Sequence, residues 1–308
     1  MAIRQSSWLA SFLLGVCVSP LLGQTPVPAP KSVDAGLTPL NEQKTVLLDK
    51  VGKRLVLKGE VCLREGVLEM LVCLKRSKEH EAIFAVDTKA QIVHAGLLAL
   101  GFEPGTPVEF VPEYKPATGP VVDIVVSWAD ADGKVHQHKA QELVRNSVRR
   151  YWVQKLEKTP VDLKLPEDGD LRYDEKRQEL LWYGPMNEQQ RDEALKRSAD
   201  AGYQKAIKEL YKSTQVKTLD ADWVFAGSTF YVDPDSNQRF YQAEAGDLIC
   251  VANFATATID LAVPSSAANE QLLYEAYTER LPPNGTRVTI ELKPRQPVAP
   301  KAEPKPKT

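Results

Sequence analysis

Apolar residues along this chain gather in short runs separated by turn-forming residues, and three stretches instead carry the wider spacing of a helix. Residues 54–57, 60–63 and 67–74 are strand-like, and the continuous apolar run AIFAV at 82–86 reads as a buried strand. Thr88 is placed to cap a helix over 89–100, with Gly101 as its stop and Ile92, Val93, Leu97 and Leu100 on one face. Strands follow at 107–112, 121–128 and 134–139, the last two joined by the turn Asp130-Ala131-Asp132-Gly133. Further on, WVFAGSTFYV and RFYQA form a hairpin around residues 233–237. Residues 248–251 read as a buried strand, 269–279 as a helix and 287–292 as a closing strand. Pro104-Gly105-Thr106-Pro107-Val108 and Pro283-Asn284-Gly285-Thr286-Arg287-Val288 end two strand–helix–strand units alike, which leaves open a duplication or shared turn chemistry.

Between these regions lies a charged insert, residues 149–218. Its main feature is one long helix over 188–212, opened by an Asn187/Gln190 capping pair, with Leu195, Ala199, Tyr203, Ile207 and Leu210 as its buried stripe. The expected fold class is therefore α+β: a mixed, largely antiparallel sheet with two short core helices and one long helical insert. The divisions are a signal peptide (1–23), a disordered linker (24–41), a first domain part (42–148), the insert (149–218), a second domain part (219–292) and a Pro/Lys-rich disordered tail (293–308).

Charge narrows the function classes. The chain has 39 Lys and Arg against 41 Asp and Glu, a formal net charge of −2, which excludes a dominant nucleic-acid role. The tail, with its repeated Pro and Lys, suits either contact with an anionic surface or simple solvation.

The N-terminus carries an address. Arg4, the apolar run 8–18, Pro20 and the small Gly23 read as a secretory signal peptide cleaved near Gly23, with export to the periplasm or cell envelope. The apolar run is too short for a stable span. Val16 before Cys17 argues against a lipoprotein signal. Cleavage leaves Cys62, Cys73 and Cys250. Cys62 and Cys73 flank Gly66 in what reads as a hairpin, so an oxidising compartment favours a disulfide between them. Cys250 sits in an apolar run and reads as a small buried hydrophobe, although the odd count keeps other pairings open.

Two stretches carry a family resemblance. One is KEHEAIFAVDTKAQIVHAGLLALGFEPGTPVEF with the following DADGKVHQHKAQELVRN. The other is WVFAGSTFY with AGDLICVANFATATIDL and LLYEAYTERLPPNGT. Together they resemble the YdjY-domain family of bacterial exported proteins, over roughly residues 51–294 and interrupted by the insert. The resemblance implies an exported location and little defined chemistry. Some members are described as ferredoxin-like, but this chain lacks clustered cysteines, so no iron–sulfur role carries over.

Candidate chemistry gathers around the 82–86 strand. Lys78, His80 and Glu81 precede it and His94 lies in the following helix, a place where a ligand can sit or a His–carboxylate pair can bind metal or move protons. His136 and His138 share one strand face, but an exposed hairpin is a poor metal cage. Ser228 in FAGST lacks the surroundings of a nucleophile elbow, and neither a Walker A motif nor a dinucleotide fingerprint is present. The reading is an exported binding or assembly module without catalytic activity and with an unknown envelope partner. The alternatives are a metal-dependent or acid/base enzyme using His80, Glu81 and His94, and a redox accessory protein using Cys62 and Cys73.

Overall fold

Strand alternation in this protein resolves into a closed ring. The computed structural model describes residues 36–165, 169–265 and 273–295. Its main sheet contains eight strands that close on themselves: β1 (Arg54–Val61), β2 (Met70–Leu74), β3 (Ala82–Val86), β4 (Val121–Ala129), β5 (Trp223–Phe225), β6 (Ile249–Cys250), β7 (Ile259–Leu261) and β8 (Arg287–Pro294). The order around the ring is β1–β8–β4–β5–β7–β6–β2–β3, and β3 pairs back onto β1. Three more strands, Thr38–Pro39, Val46–Asp49 and Val135–Lys139, extend the sheet outside the ring. The expected α+β class is thus corrected to a mostly β fold built on an eight-stranded closed barrel.

Period-two patterning sets what faces inward. In β4 the alternate residues Val122, Ile124, Val126 and Trp128 are buried, and in β8 Val288, Ile290 and Leu292 are. With Leu55 and Leu57 of β1, Phe84 of β3, and Trp223 and Phe225 of β5, they fill one continuous core.

Closure depends on β1 changing partner along one edge. Residues 54–57 pair with Val46–Asp49, and residues 59–61 pair with β3. Gly59 sits at the change. A Cβ there stands 2.7 Å from the Ala85 carbonyl oxygen and 3.0 Å from a Val86 methyl. Thr45 seals the seam: its carbonyl accepts from Lys58 N at 2.8 Å and its hydroxyl donates to the Asp87 carbonyl at 2.6 Å.

β2 and β3 are parallel neighbours joined only by residues 75–81, shorter than most parallel crossovers. The strap must hug the sheet, and the small Cys73, Ala82, Ala85, Cys250 and Ala257 form a separate cluster that leaves it room. β3 therefore lies between β1 and β2. Cys62 follows β1 and Cys73 lies in β2, so the two do not face each other across a hairpin. Their thiols nevertheless meet over the small residues of β3 and interact as thiols. The expected Cys62–Cys73 bond is absent, and Cys62, Cys73 and Cys250 are free thiols.

Helical expectations fared unevenly. Helix α1 (Ala90–Ala99) forms, but Thr88 does not cap it; Glu244 from a distant turn accepts from Gln91 N at 2.9 Å. In the expected 269–279 helix, the described residues instead hold a strand, Tyr274–Ala276, and a 3₁₀ turn, Thr278–Arg280. The strand pairs with Val144–Asn146, and its Glu275 makes a buried ion pair with Arg145 at 2.8 Å. Residues 107–112 form no strand. The signal peptide, most of the linker and the tail from residue 296 lie outside the described residues, while β8 runs on to Pro294.

The insert is not one long helix. It contains a three-stranded sheet (Tyr151–Lys155, Leu171–Asp174, Glu179–Tyr183) with two helices, α2 (Glu188–Leu195) and α3 (Ala201–Thr214). The Asn187/Gln190 capping box opens α2. The chain then breaks because Ser198 donates to Asp162 at 2.8 Å and Asp200 caps α3 by accepting from Tyr203 N at 2.9 Å. Tyr203, Ile207 and Leu210 are buried as expected, whereas Ala199 is exposed. They pack with Leu171, Leu180 and Trp182 in a core separate from that of the barrel.

In β7, Ile259 and Leu261 enter the barrel core while Asp260 lies on the other face, fully buried. It accepts from Leu261 N at 2.8 Å, Phe254 N at 3.3 Å and Asn253 Nδ2 at 3.4 Å, with no ion pair among the described residues. Burial pushes its carboxyl up to about 7 against those three donors.

Three outcomes are expected. Gly59→Val should cost about 2–3 kcal/mol in urea unfolding, because backbone atoms of β3 must shift; an unchanged midpoint contradicts the role given to Gly59. Residues 146 and 217 are joined by a 2.9 Å backbone bond, so replacing 149–215 with a short glycine-rich linker should leave a cooperatively melting barrel. Loss of cooperative melting would make the insert part of the core. Asp260 favours the folded state while protonated, so its contribution is full below 3.8 and fades as pH rises through about 7. Asp260→Asn should flatten that decline between pH 5 and 8, whatever its absolute stability; an unaltered slope assigns the decline elsewhere.

Candidate functional site

The strap at 75–81 carries most of the sequence candidates. Lys78 is half-buried there among three carboxylates: its ammonium is 3.0 Å from Asp247, 3.3 Å from Glu69 and 3.9 Å from Glu81, and it lies over the Phe254 ring. Burial works against its charge, but Asp247 and Glu69 outweigh that and hold Lys78 above its ordinary value. A lysine kept charged is a counter-ion, not a nucleophile. Burial and a hydrogen bond shared with Glu69 push Glu81 up. Sequence reading found Lys78 and Glu81 but missed Glu69, nine residues back at the start of β2, and Asp247, which comes from the flank of β6 far along the chain.

The two histidines go elsewhere. His80 is mostly exposed at the rim, 3.8 Å from Glu81. His94 points from α1 against Phe225 and Tyr241, its Nδ1 2.9 Å from the Tyr241 hydroxyl. Burial pulls His94 below its ordinary value, against a hydrogen bond to the Gly227 carbonyl. The Tyr241 hydroxyl also reaches Gly227 and Thr258, each at 3.0 Å. His94 is thus one member of a buried polar network. Among the described residues, no three His, Cys, Asp or Glu are grouped so as to hold a metal ion.

The remaining candidates are committed to the fold. His136 and His138 do share a strand face, where both stack on Trp128. His136 bonds Asp130 at 2.8 Å and His138 bonds Glu142 at 3.1 Å. Ser228 has a positive φ of 58°, but its hydroxyl donates to the Thr256 carbonyl at 2.6 Å. Cys62 and Cys73 influence each other: the Cys62 thiol draws Cys73 down, helped by the Lys78 N–H and the Ser77 hydroxyl, while Cys62 itself is pushed up. Burial raises Cys250 well above a normal thiol and leaves it inert.

An open cleft of about 780 Å³ lies elsewhere, where the barrel wall splits. β4 changes partner along one edge, as β1 does. Val121 and Val122 pair with β5, residues 125–129 pair with Val135–Lys139, and the cleft opens between. Arg295 braces its wall. Its Nε sits 2.9 and 3.0 Å from the Asp123 carboxylate oxygens, and its two terminal nitrogens each sit 3.1 Å from Asp222. Asp123 and then Asp222 raise the guanidinium above its ordinary value, although half-exposure screens the pairing. Gln141 spans the gap and donates to the Ala221 carbonyl at 3.2 Å. Two charged lining residues, Lys139 and Asp220, have no ion pair among the described residues. None of the charged cleft residues was singled out from sequence, since each is an ordinary surface type in its own segment.

No curated protein and no solved structure matches the chain. The YdjY domain matches residues 46–157 and 197–293. The matched segments hold the barrel strands through Lys293 and, Arg295 aside, the residues that line the cleft. They omit 158–196, which contains the insert's hairpin and α2. With well over half its length matched, the chain belongs to the YdjY domain family.

Proposed function

We propose that the chain is an exported binding module of the cell envelope, without catalytic activity of its own, and that the split in the barrel wall holds its ligand. One observation carries this reading: the cleft is an open, polar-walled space of a size that suits small ligands, with two charged groups left unpaired at its edge. The residues that sequence chemistry favoured are occupied by contrast. Lys78 is held by carboxylates, His94 by Tyr241 and Ser228 by Thr256. Export rests on Arg4, the apolar run 8–18 and Gly23.

Ligand-observed NMR with a library of small acids, amines and amides tests the cleft, using the wild-type chain and Asp220→Arg. Hits that lose their saturation transfer in the variant, at unchanged melting temperature, are expected. Hits that bind both proteins equally, or no hits, remove the cleft from the reading. Cell fractionation tests the address, and recovery of uncleaved chain from the cytoplasm alone would exclude export.

A further inference from the structure

Sulfur gathers at one place in the barrel wall. The chain has 4 Cys and 3 Met, and four of these, Cys62, Met70, Cys73 and Cys250, meet in a cluster otherwise made of alanines and Phe254. Two of them are in contact as thiols. The ladder bulges at Cys62, where Cys62 N and Leu63 N both donate to the Ile83 carbonyl, at 2.9 and 3.4 Å. The Cys62 sulfur lies over β3, 3.0 Å from the Ala82 carbonyl oxygen. Cys73 pairs with Ala85 from the other side of β3. Ala82 and Ala85 put little bulk between them, and the two thiols hydrogen-bond. Cys73 is fully buried, whereas Cys62 is partly exposed. The strap completes the surroundings, its Lys78 N–H and Ser77 hydroxyl both donating to the Cys73 sulfur.

We propose that Cys62 and Cys73 bind a single soft monovalent metal ion, Cu⁺, between their sulfurs. The site shares no residue with the cleft. Of the two thiols Cys73 ionises first, drawn down by the Cys62 thiol and the strap donors, while Cys62 keeps its proton. Cu⁺ takes the place of that remaining proton, which passes to solvent, and the charge of the pair is unchanged. Thiolate sulfur selects cuprous ion over hard cations. Structural Zn²⁺ takes a tetrahedral ligand set, and among the described residues no third His, Cys, Asp or Glu joins the pair to begin one. Cu⁺ is satisfied by two sulfurs. Exchange with an outside disulfide fits the pair less well, because the sulfur that ionises is buried and the one within reach holds its proton. A small ion can enter beside Cys62 where a bulky disulfide cannot. The strap donors behind Cys73 then serve as the outer contacts that hold a metal ligand in place.

The probe is Cu⁺ itself, added anaerobically as its acetonitrile complex to the reduced full chain, with the chromophoric chelator bicinchoninate as competitor. A single ion per chain should be retained against the chelator, with the ultraviolet absorption of a cuprous thiolate and with Cys62 shielded from iodoacetamide. Cys62→Ala and Cys73→Ala should each weaken retention at least about 100-fold, since one thiolate is left. Cys250→Ala should retain the ion as the wild type does. If the buried Cys73→Ala variant fails to fold, the partly exposed Cys62 position decides by itself. Loss of all copper to the chelator, retention unchanged in Cys62→Ala, retention that depends on Cys250, or displacement by an equal concentration of Zn²⁺ overturns the site. Closure of Cys62 and Cys73 into a disulfide in place of metal retention assigns the pair to redox chemistry and overturns it as well.

Discussion

Ring closure at Gly59 is the constraint on which the remaining structure depends. β1 is long enough to serve two neighbours on one edge, and it passes from one to the other where a side chain has no room. The pairing of β1 with β3 removes the open edges that eight short strands would otherwise expose. It also places β3 between β1 and β2. That order forces the short strap over residues 75–81, which in turn requires small side chains beneath it and an anchor above. Lys78, held by Asp247 and Glu69, is that anchor. The carboxylates that make the lysine look like a site therefore follow from the topology of the barrel.

The same device occurs twice with different results. Both long strands, β1 and β4, change partner along one edge. At β1 the seam is sealed by Thr45, whose backbone and hydroxyl satisfy groups on both sides. At β4 the two partners stand apart: Gln141, just past one of them, reaches Ala221, just before the other, and Arg295 ties Asp123 of β4 to Asp222.

The insert shows how a separate core attaches without disturbing the barrel. Asn146 and Lys217 hydrogen-bond at its base, and the apolar residues beyond pack among themselves. Its two helices part at Ser198 and Asp200. These residues offer the backbone an alternative to helix through their own side chains, a choice that the apolar stripe of Tyr203, Ile207 and Leu210 does not reveal.

Local patterning was sufficient for much of this protein. Alternation at 121–128 and 287–292, the continuous run at 82–86 and the Asn187/Gln190 capping box each specify an element from contacts within a few residues. Such patterns state which face of an element is buried. They do not state which strand lies beside it. Closure into a barrel, the strand between Cys62 and Cys73, and the pairing of Tyr274–Ala276 with Val144–Asn146 depend on partners far apart in the chain. The candidate site divides the same way. Lys78 and Glu81 are legible because they are neighbours in sequence, while Glu69 joins them through the parallel pairing of β2 with β3 and Asp247 comes from a distant segment. The cleft is wholly tertiary: Asp123, Lys139, Asp220 and Arg295 are ordinary surface residues until β4 changes partner, and it is the gap left in its ladder that gathers them.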